Sequence, residues 1–196
     1  MKTEIECRLL EVDVDNLIKK LENCGATFIG DWVQMRYCYD FKPVKPNSWI
    51  RLRTNGKETT LTIKEIGSDK IDGTKESEII VSDFLGTDEI LQKLGYRARS
   101  KQENRRIRFI LDGVEIDIDF WPRIPTYVEL EADSEQAIIS VLNKLGIDYN
   151  KTTKLDVESI YSRYGITPKE MNSLVLEKSR KEKQYFSCED NNKSLD

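Results

Sequence analysis

The chain has 196 residues, 38% of them hydrophobic and 34% charged, with a net charge of −4. So much charge of mixed sign argues against a generic nucleic-acid surface, which would be basic overall, and no apolar run approaches membrane-spanning length. There is no histidine, which removes Ser-His-Asp and Cys-His catalysis and imidazole zinc sites; any chemistry falls to carboxylates, Lys, Arg, Tyr or an oxygen-held metal.

Residues 2–10 read as a strand in which Glu4, Glu6 and Arg8 alternate with Ile5, Cys7 and Leu9. Asp13 then caps a helix carrying Leu17, Ile18 and Leu21 and closed by Gly25. Residues 27–41 form a looser strand rich in aromatics (Trp32, Tyr37, Tyr39, Phe41), and Pro43 and Pro46 mark a loop. Strands over 48–54 and 58–66 set Arg51 and Arg53 against Ile50 and Leu52, and Thr60, Thr62 and Lys64 against Leu61 and Ile63. Asn55-Gly56 between them is a two-residue hairpin signal. After a glycine-containing loop over 67–74, strand 75–82 presents Glu76 and Glu78, and Leu85, Ile90, Leu91 and Leu94 lie on a helix closed by Gly95.

Residues 96–111 make two strands or one bent strand; if continuous, Lys101, Glu103 and Arg105 share a face. Asp112-Gly113 turns into strand 114–120, where Glu115, Asp117 and Asp119 alternate with Val114, Ile116 and Ile118. Strand 126–132 sets Glu129 and Glu131 around Leu130, and a helix over 134–146 carries Ile138, Ile139, Leu142 and Leu145. Two further helices are expected over 153–164 and 167–183, N-capped by Asp156 and Thr167, before a polar tail without periodicity from Ser187. The expected organisation is a domain over 1–165, a helical extension over 166–186 and a disordered tail over 187–196. Cys7, Cys24, Cys38 and Cys188 are scattered without a CxxC pair, and no signal-peptide pattern precedes the first strand; reduced thiols and a cytoplasmic location are expected.

In a strand, residues i and i+2 point the same way, so each of these segments gathers its charges on one face. One such strand is an ordinary solvated face. So many in one chain suggest a sheet curled around a charged, wet interior, with its apolar face turned outward under helices. Carboxylates from the pairs Glu4/Glu6, Asp117/Asp119 and Glu129/Glu131 would suit a hard divalent cation. The bases Arg8, Arg51, Arg53, Lys64, Lys101 and Arg105 would match the charge of a triphosphate, arginine offering a fork for phosphate oxygens. The bland alternative is that these acids and bases only pair with each other across solvated strands. GxxxxGK[ST], a GxGxxG after a strand and HExxH are all absent, so phosphate binding would rest on side chains.

Glu4-Ile-Glu6-Cys-Arg8 resembles the ExExK signature of the CYTH domain, the triphosphate tunnel metalloenzymes, with Arg for Lys. The segments WIRLR, LTIK, KESEI, QENRRIRF and EIDIDFWPRIPTYVELE resemble that family's later blocks in order, over about residues 2–146. The resemblance implies an α+β fold: an eight-stranded antiparallel barrel forming a tunnel, with helices outside it and C-terminal helices beyond. It implies Mg²⁺ or Mn²⁺ and a triphosphate-bearing small molecule as partner, whether inorganic triphosphate, a nucleoside triphosphate or thiamine triphosphate, with no nucleic-acid or membrane partner. Glu4, Glu6, Asp119, Glu129 and Glu131 would then hold the metal, and Arg8, Arg51, Arg53, Lys64 and Arg105 the phosphates. Glu103 stands where several relatives carry Lys, and Lys101 on the same face would supply that charge. Glu4, Glu6, Arg53 and Lys64 would be the catalytic core, supported by Glu76, Glu78 and Asp117. Hydrolysis is the leading expectation, a class IV adenylyl cyclase the second, and a non-catalytic triphosphate binder the third. Whether the C-terminal helices plug a tunnel mouth or mediate a homodimer stays open.

Overall fold

The computed structural model describes residues 2–67 and 74–176, with residues 2–4 as backbone alone. Most of the expected 67–74 loop and the whole tail from 187 therefore lie outside the described residues. Eight strands, β1 (Lys2–Leu9), β2 (Thr27–Asp40), β3 (Ser48–Thr54), β4 (Thr59–Ile66), β5 (Thr74–Val81), β6 (Ala98–Leu111), β7 (Val114–Phe120) and β8 (Tyr127–Ala132), close into a barrel. The order round the wall is β1-β5-β4-β3-β2-β6-β7-β8, and every neighbouring pair is antiparallel. Residues 98–111 are one strand, not two.

The turns follow their chemistry. Asp112 and Gly113 both take positive φ (50° and 81°) in the two-residue β6–β7 turn, the geometry a tight hairpin needs. The β3–β4 connection is longer than its Asn-Gly signal suggests. Only Gly56 has positive φ there, and the Asn55 side chain instead accepts from the backbone N–H groups of Lys57 and Glu58, giving a four-residue loop.

Three helices cover the outside: α1 (Val14–Asn23), α2 (Phe84–Lys93) and α3 (Glu135–Lys144). Asp13, Asp83 and Ser134 cap them, each side chain accepting from a backbone N–H three residues on. Leu17 and Leu21 of α1 and Ile138, Val141 and Leu142 of α3 pack on the outward faces of β1, β6, β7 and β8, through Cys7, Leu9, Ile107, Phe109, Ile116, Ile118, Val128 and Leu130. Phe84 and Leu91 of α2 cover Tyr39, Ile50 and Leu52 on β2 and β3. Each such buried side chain contributes about 1.5–3 kcal/mol relative to exposure. The expected inversion, apolar outside and charged inside, is what the barrel adopts.

The C-terminal segment packs at one end of the barrel. α4 (Val157–Arg163) and α5 (Pro168–Met171) bring Ile160, Tyr161, Ile166, Met171 and Leu174 against Trp121 and Tyr127 at the ends of β7 and β8. Backbone N–H groups of Lys101 and Glu103 donate to the carbonyls of Asn172 and Leu174 (both 2.8 Å). Residues 98–104 of β6 extend past the β7 pairing, which starts at Arg105, so this strap covers an otherwise bare strand edge. Packing runs across the expected division at 165/166. Asp156 and Thr167 cap as expected, but the second helix ends at Met171, and 177–183 lie outside the described residues.

Candidate active site

Register gathers some of the lumen charges into an acidic row and a basic wall, with a mixed row beside the acidic one. Glu6 and Glu131 are direct partners across β1–β8, and Glu131 and Glu115 across β8–β7, so three carboxylates form a row on adjacent strands. The next row reads Arg8, Glu129, Asp117, Arg108. On the opposite wall, Arg36 of β2 is the direct partner of Arg53 of β3, with Arg51 beside it and Lys64 on β4.

Two cavities, of about 410 and 380 Å³, divide the lumen. Glu6, Arg51, Arg53, Lys64, Arg106 and Glu129 line both, and so form a waist between them. The larger cavity runs toward the C-terminal segment and is walled by Arg36, Trp49, Trp121, Tyr127 and residues of α4 and α5. The smaller one holds Glu76, Glu78, Arg108, Glu115 and Glu131.

The ion pairs show which charges are neutralised. Arg8 meets Glu6 (3.0 Å) and Glu129 (2.6 Å) and donates to the Leu155 carbonyl (3.0 Å). Arg51 lies 3.5 and 3.4 Å from Glu76 and Glu78, Arg53 lies 3.8 Å from Glu78, and Lys64 pairs with Glu76. Arg106 pairs with Asp117 and with Asp119 (2.6 Å), and Arg108 with Asp117 (2.6 Å) and Glu115 (2.7 Å). Burial alone would raise the Glu129 carboxyl, but Arg8, Arg106 and Lys64 outweigh it and hold it below the ordinary range. Arg53 is pushed well below its ordinary range by Arg51, then by burial, then by Arg106 and Arg36. Burial and then Arg51 and Arg106 push Arg36 down as well. An arginine keeps its proton in a protein, so these penalties amount to a standing positive potential on the β2–β3–β6 wall.

Most of the residues named from sequence come together in this lumen: Glu6, Arg8, Arg51, Arg53, Lys64, Glu76, Glu78, Glu129 and Glu131. Glu4 lies on β1 two residues before Glu6, with its side chain outside the described set. Lys101 and Arg105 are corrections. Both point out of the barrel: Lys101 lies over the Tyr37 ring (4.4 Å), and Arg105 pairs with Asp31 (2.6 Å) over Phe120. Their face carries Ile107, Phe109 and Leu111 under the helices, and in a strand a shift of one residue exchanges the two faces. The inward set is Gln102, Asn104, Arg106 and Arg108, of which Arg106 and Arg108 occupy the lumen positions expected of Arg105.

Asp119, expected as a metal ligand, sits behind the lumen wall beside Asp117, expected only in a supporting part. Asp119 is 1% exposed and accepts from Arg106 (2.8 and 2.6 Å) and Asn104 (2.9 Å). Neither aspartate lines either cavity; in this structure both are taken up by arginines, Asp117 by Arg106 and Arg108 and Asp119 by Arg106. Arg36 went unread in the sequence, although Met35, Tyr37 and Tyr39 against Gln34, Arg36 and Cys38 is an alternation like the others.

The donor set left for a cation is all carboxylate, which suits a hard divalent ion. Like charges directly opposed across strands are destabilising, and the Glu6–Glu131–Glu115 row is such an arrangement. Among the described residues no three acidic or thiol groups already converge to hold an ion. The row fits Mg²⁺ or Mn²⁺ by chemistry, with Glu129 flanking it.

A family model described as the CYTH domain matches residues 2–157, and the chain belongs to that family. No curated protein matches the chain. Among solved structures, the PH1012 protein from Pyrococcus horikoshii OT3 is similar at 23% identity and a TM-score of 0.68, over 80% of this chain and 99% of that one. A Vibrio parahaemolyticus protein described as an adenylate cyclase candidate is similar at 13% identity and a TM-score of 0.67, over 82% of this chain and 98% of that one. The Hippeastrum protein HpAC1, described as an adenylyl cyclase candidate with a dominant triphosphatase activity, is similar at 14% identity and a TM-score of 0.58, over 86% and 99%. At these identities the likeness bears on the fold. Among the described residues no helix is long and apolar enough to cross a membrane.

Proposed function

We propose that this protein hydrolyses a triphosphate-bearing substrate inside its tunnel. The observation that carries this reading is the crowded cationic wall: Arg36, Arg51, Arg53, Lys64 and Arg106 converge on the larger cavity, and Arg36 and Arg53 stand opposed with no carboxylate between them in the register. A polyanion relieves that repulsion. Because the cations sit on barrel strands, they hold a phosphate chain with little reorganisation, which favours charge developing on its oxygens.

Glu6, Glu131 and Glu129, with Glu4, are the residues that would hold Mg²⁺ or Mn²⁺. When bound, such a cation supplies Lewis-acid polarisation of phosphoryl oxygens and a more acidic water. With no histidine in the chain, the attacking water gives its proton to a carboxylate of the acid row or to solvent. Arg53 and Lys64 at the waist stabilise the phosphoryl oxygens as the bond breaks.

The test is phosphate release from tripolyphosphate, ATP and thiamine triphosphate with Mg²⁺ or Mn²⁺. Turnover of at least one is expected; no turnover of any by folded protein overturns the reading. One feature favours a second reading, a lyase that cyclises ATP: Trp49, Trp121 and Tyr127 line the larger cavity, and aromatic walls suit a base. Cyclic AMP and pyrophosphate as products would decide for it, ADP and phosphate against it.

A further inference from the structure

The lumen cations differ in one respect. Arg8, Arg51, Arg53, Lys64, Arg106 and Arg108 each have a carboxylate partner. Among the described residues Arg36 has none. It is nevertheless buried, at 8% exposure. Its Nη2 donates to Asn104 Oδ1 (3.0 Å) and to Gln34 Oε1 (3.4 Å), and its guanidinium lies 4.4 Å from the centre of the Trp121 ring. The buried Nε has no acceptor. Asn104 is fixed in turn, donating to Asp119 (2.9 Å).

A buried cation without a counter-ion is disfavoured unless something supplies the missing charge. Two amides and an aromatic ring orient Arg36 but carry no charge. The residue opens onto the larger cavity alone, whereas the waist residues line both. A phosphate chain held at the waist and reaching toward the acid row therefore meets Arg36 only if it extends further into the larger cavity.

We infer that Arg36 binds the phosphate group lying deepest in the tunnel, beyond the waist, and makes the site prefer a chain of three phosphates to a chain of two. This rests on the triphosphate reading above. The planar fork stacked on Trp121 suits the role, since a guanidinium keeps its orientation while donating to an anion.

The experiment is calorimetric titration of wild type, Arg36→Gln and Arg36→Lys with inorganic tripolyphosphate and with pyrophosphate, alongside thermal unfolding without ligand. Arg36→Gln is expected to weaken tripolyphosphate binding at least about tenfold and pyrophosphate binding less than about threefold, as for loss of one charge-assisted contact. Arg36→Lys should recover only part of the loss. Without ligand, Arg36→Gln should melt no lower than wild type, because an unpaired buried charge is gone. Equal losses for the two anions, or none, overturn the inference while leaving the triphosphate reading intact. Failure of wild type itself to bind tripolyphosphate overturns both. Should Arg36→Gln not fold, the ratio of the two affinities in Arg36→Lys decides: a ratio unchanged from wild type overturns the inference.

Discussion

Glu6 and Glu131 face each other directly across the β1–β8 ladder, and Glu115 continues the row on β7. Three neighbouring carboxylates repel; Arg8 beside Glu6 (3.0 Å) and Arg108 beside Glu115 (2.7 Å) offset part of that cost, and a divalent cation would offset more. Mg²⁺ or Mn²⁺ should raise the melting temperature of the wild type, by an amount equivalent to about 2.7 kcal/mol at one hundred times Kd. Glu131→Gln should show a smaller metal-induced gain than wild type, read by thermal unfolding. An identical gain in both proteins would remove the row from the metal site.

Glu4→Ala with Glu6→Ala should abolish metal-dependent turnover, and circular dichroism should show the barrel still folded. Retained metal-dependent phosphate release would refute the assignment.

Arg53 illustrates the other wall. Arg51, burial, Arg106 and Arg36 all disfavour its charge in the ligand-free protein. Arg53→Ala should therefore leave stability nearly unchanged while raising KM and lowering kcat, with kcat/KM down by about 10²–10³. Wild-type kinetics would show that the phosphates do not touch it.

Asp119 separates anchoring from metal binding. Breaking its fully buried pairing with Arg106 by Asp119→Asn should cost about 3–5 kcal/mol, measured by urea unfolding. Metal affinity of the folded variant should be unchanged; a loss comparable with that of Glu131→Gln would restore Asp119 as a ligand.

Glu170 gives a pH prediction. The Thr167 backbone N–H and hydroxyl, then Arg123, hold its carboxyl down to about 2, against an ordinary value of 4.5. The folded-state value is the lower one, so the α5 capping box is fully supported above about pH 4.5 and loses that support as pH falls toward about 2. NMR titration of the Glu170 carboxyl should show the depressed midpoint, and Arg123→Ala should move it upward.

Much of this architecture is legible from residues. Alternation in β1, β3, β4, β7 and β8 is clean because apolar residues separate the charges: Ile5, Cys7 and Leu9 on β1, Ile50 and Leu52 on β3, Leu61 and Ile63 on β4, Val114, Ile116 and Ile118 on β7, and Val128 and Leu130 on β8. β6 misleads because Arg105 and Arg106 are adjacent: one lies on each face, and only Ile107, Phe109 and Leu111 decide which points in. β2 hides Arg36 because its outward residues are Met35, Tyr37 and Tyr39, whose amphipathic side chains fit either face. The fate of Asp117 and Asp119 is not in their own strand at all. It is set by Arg106 and Arg108 on the neighbouring strand, and thus by register, which alternation alone does not fix.

The strap at 172–174 has a practical consequence. The family match ends at residue 157, so a protein trimmed to that boundary keeps all eight strands and the lumen charges they carry, but not Glu158 and Lys169, which also line the larger cavity. It would lose the carbonyls that receive the Lys101 and Glu103 amides and the apolar packing over Trp121 and Tyr127. What remains is a barrel with a bare β6 edge and an apolar rim, prone to edge-to-edge association. The segment outside the recognisable family is thus what keeps that rim from finding another copy.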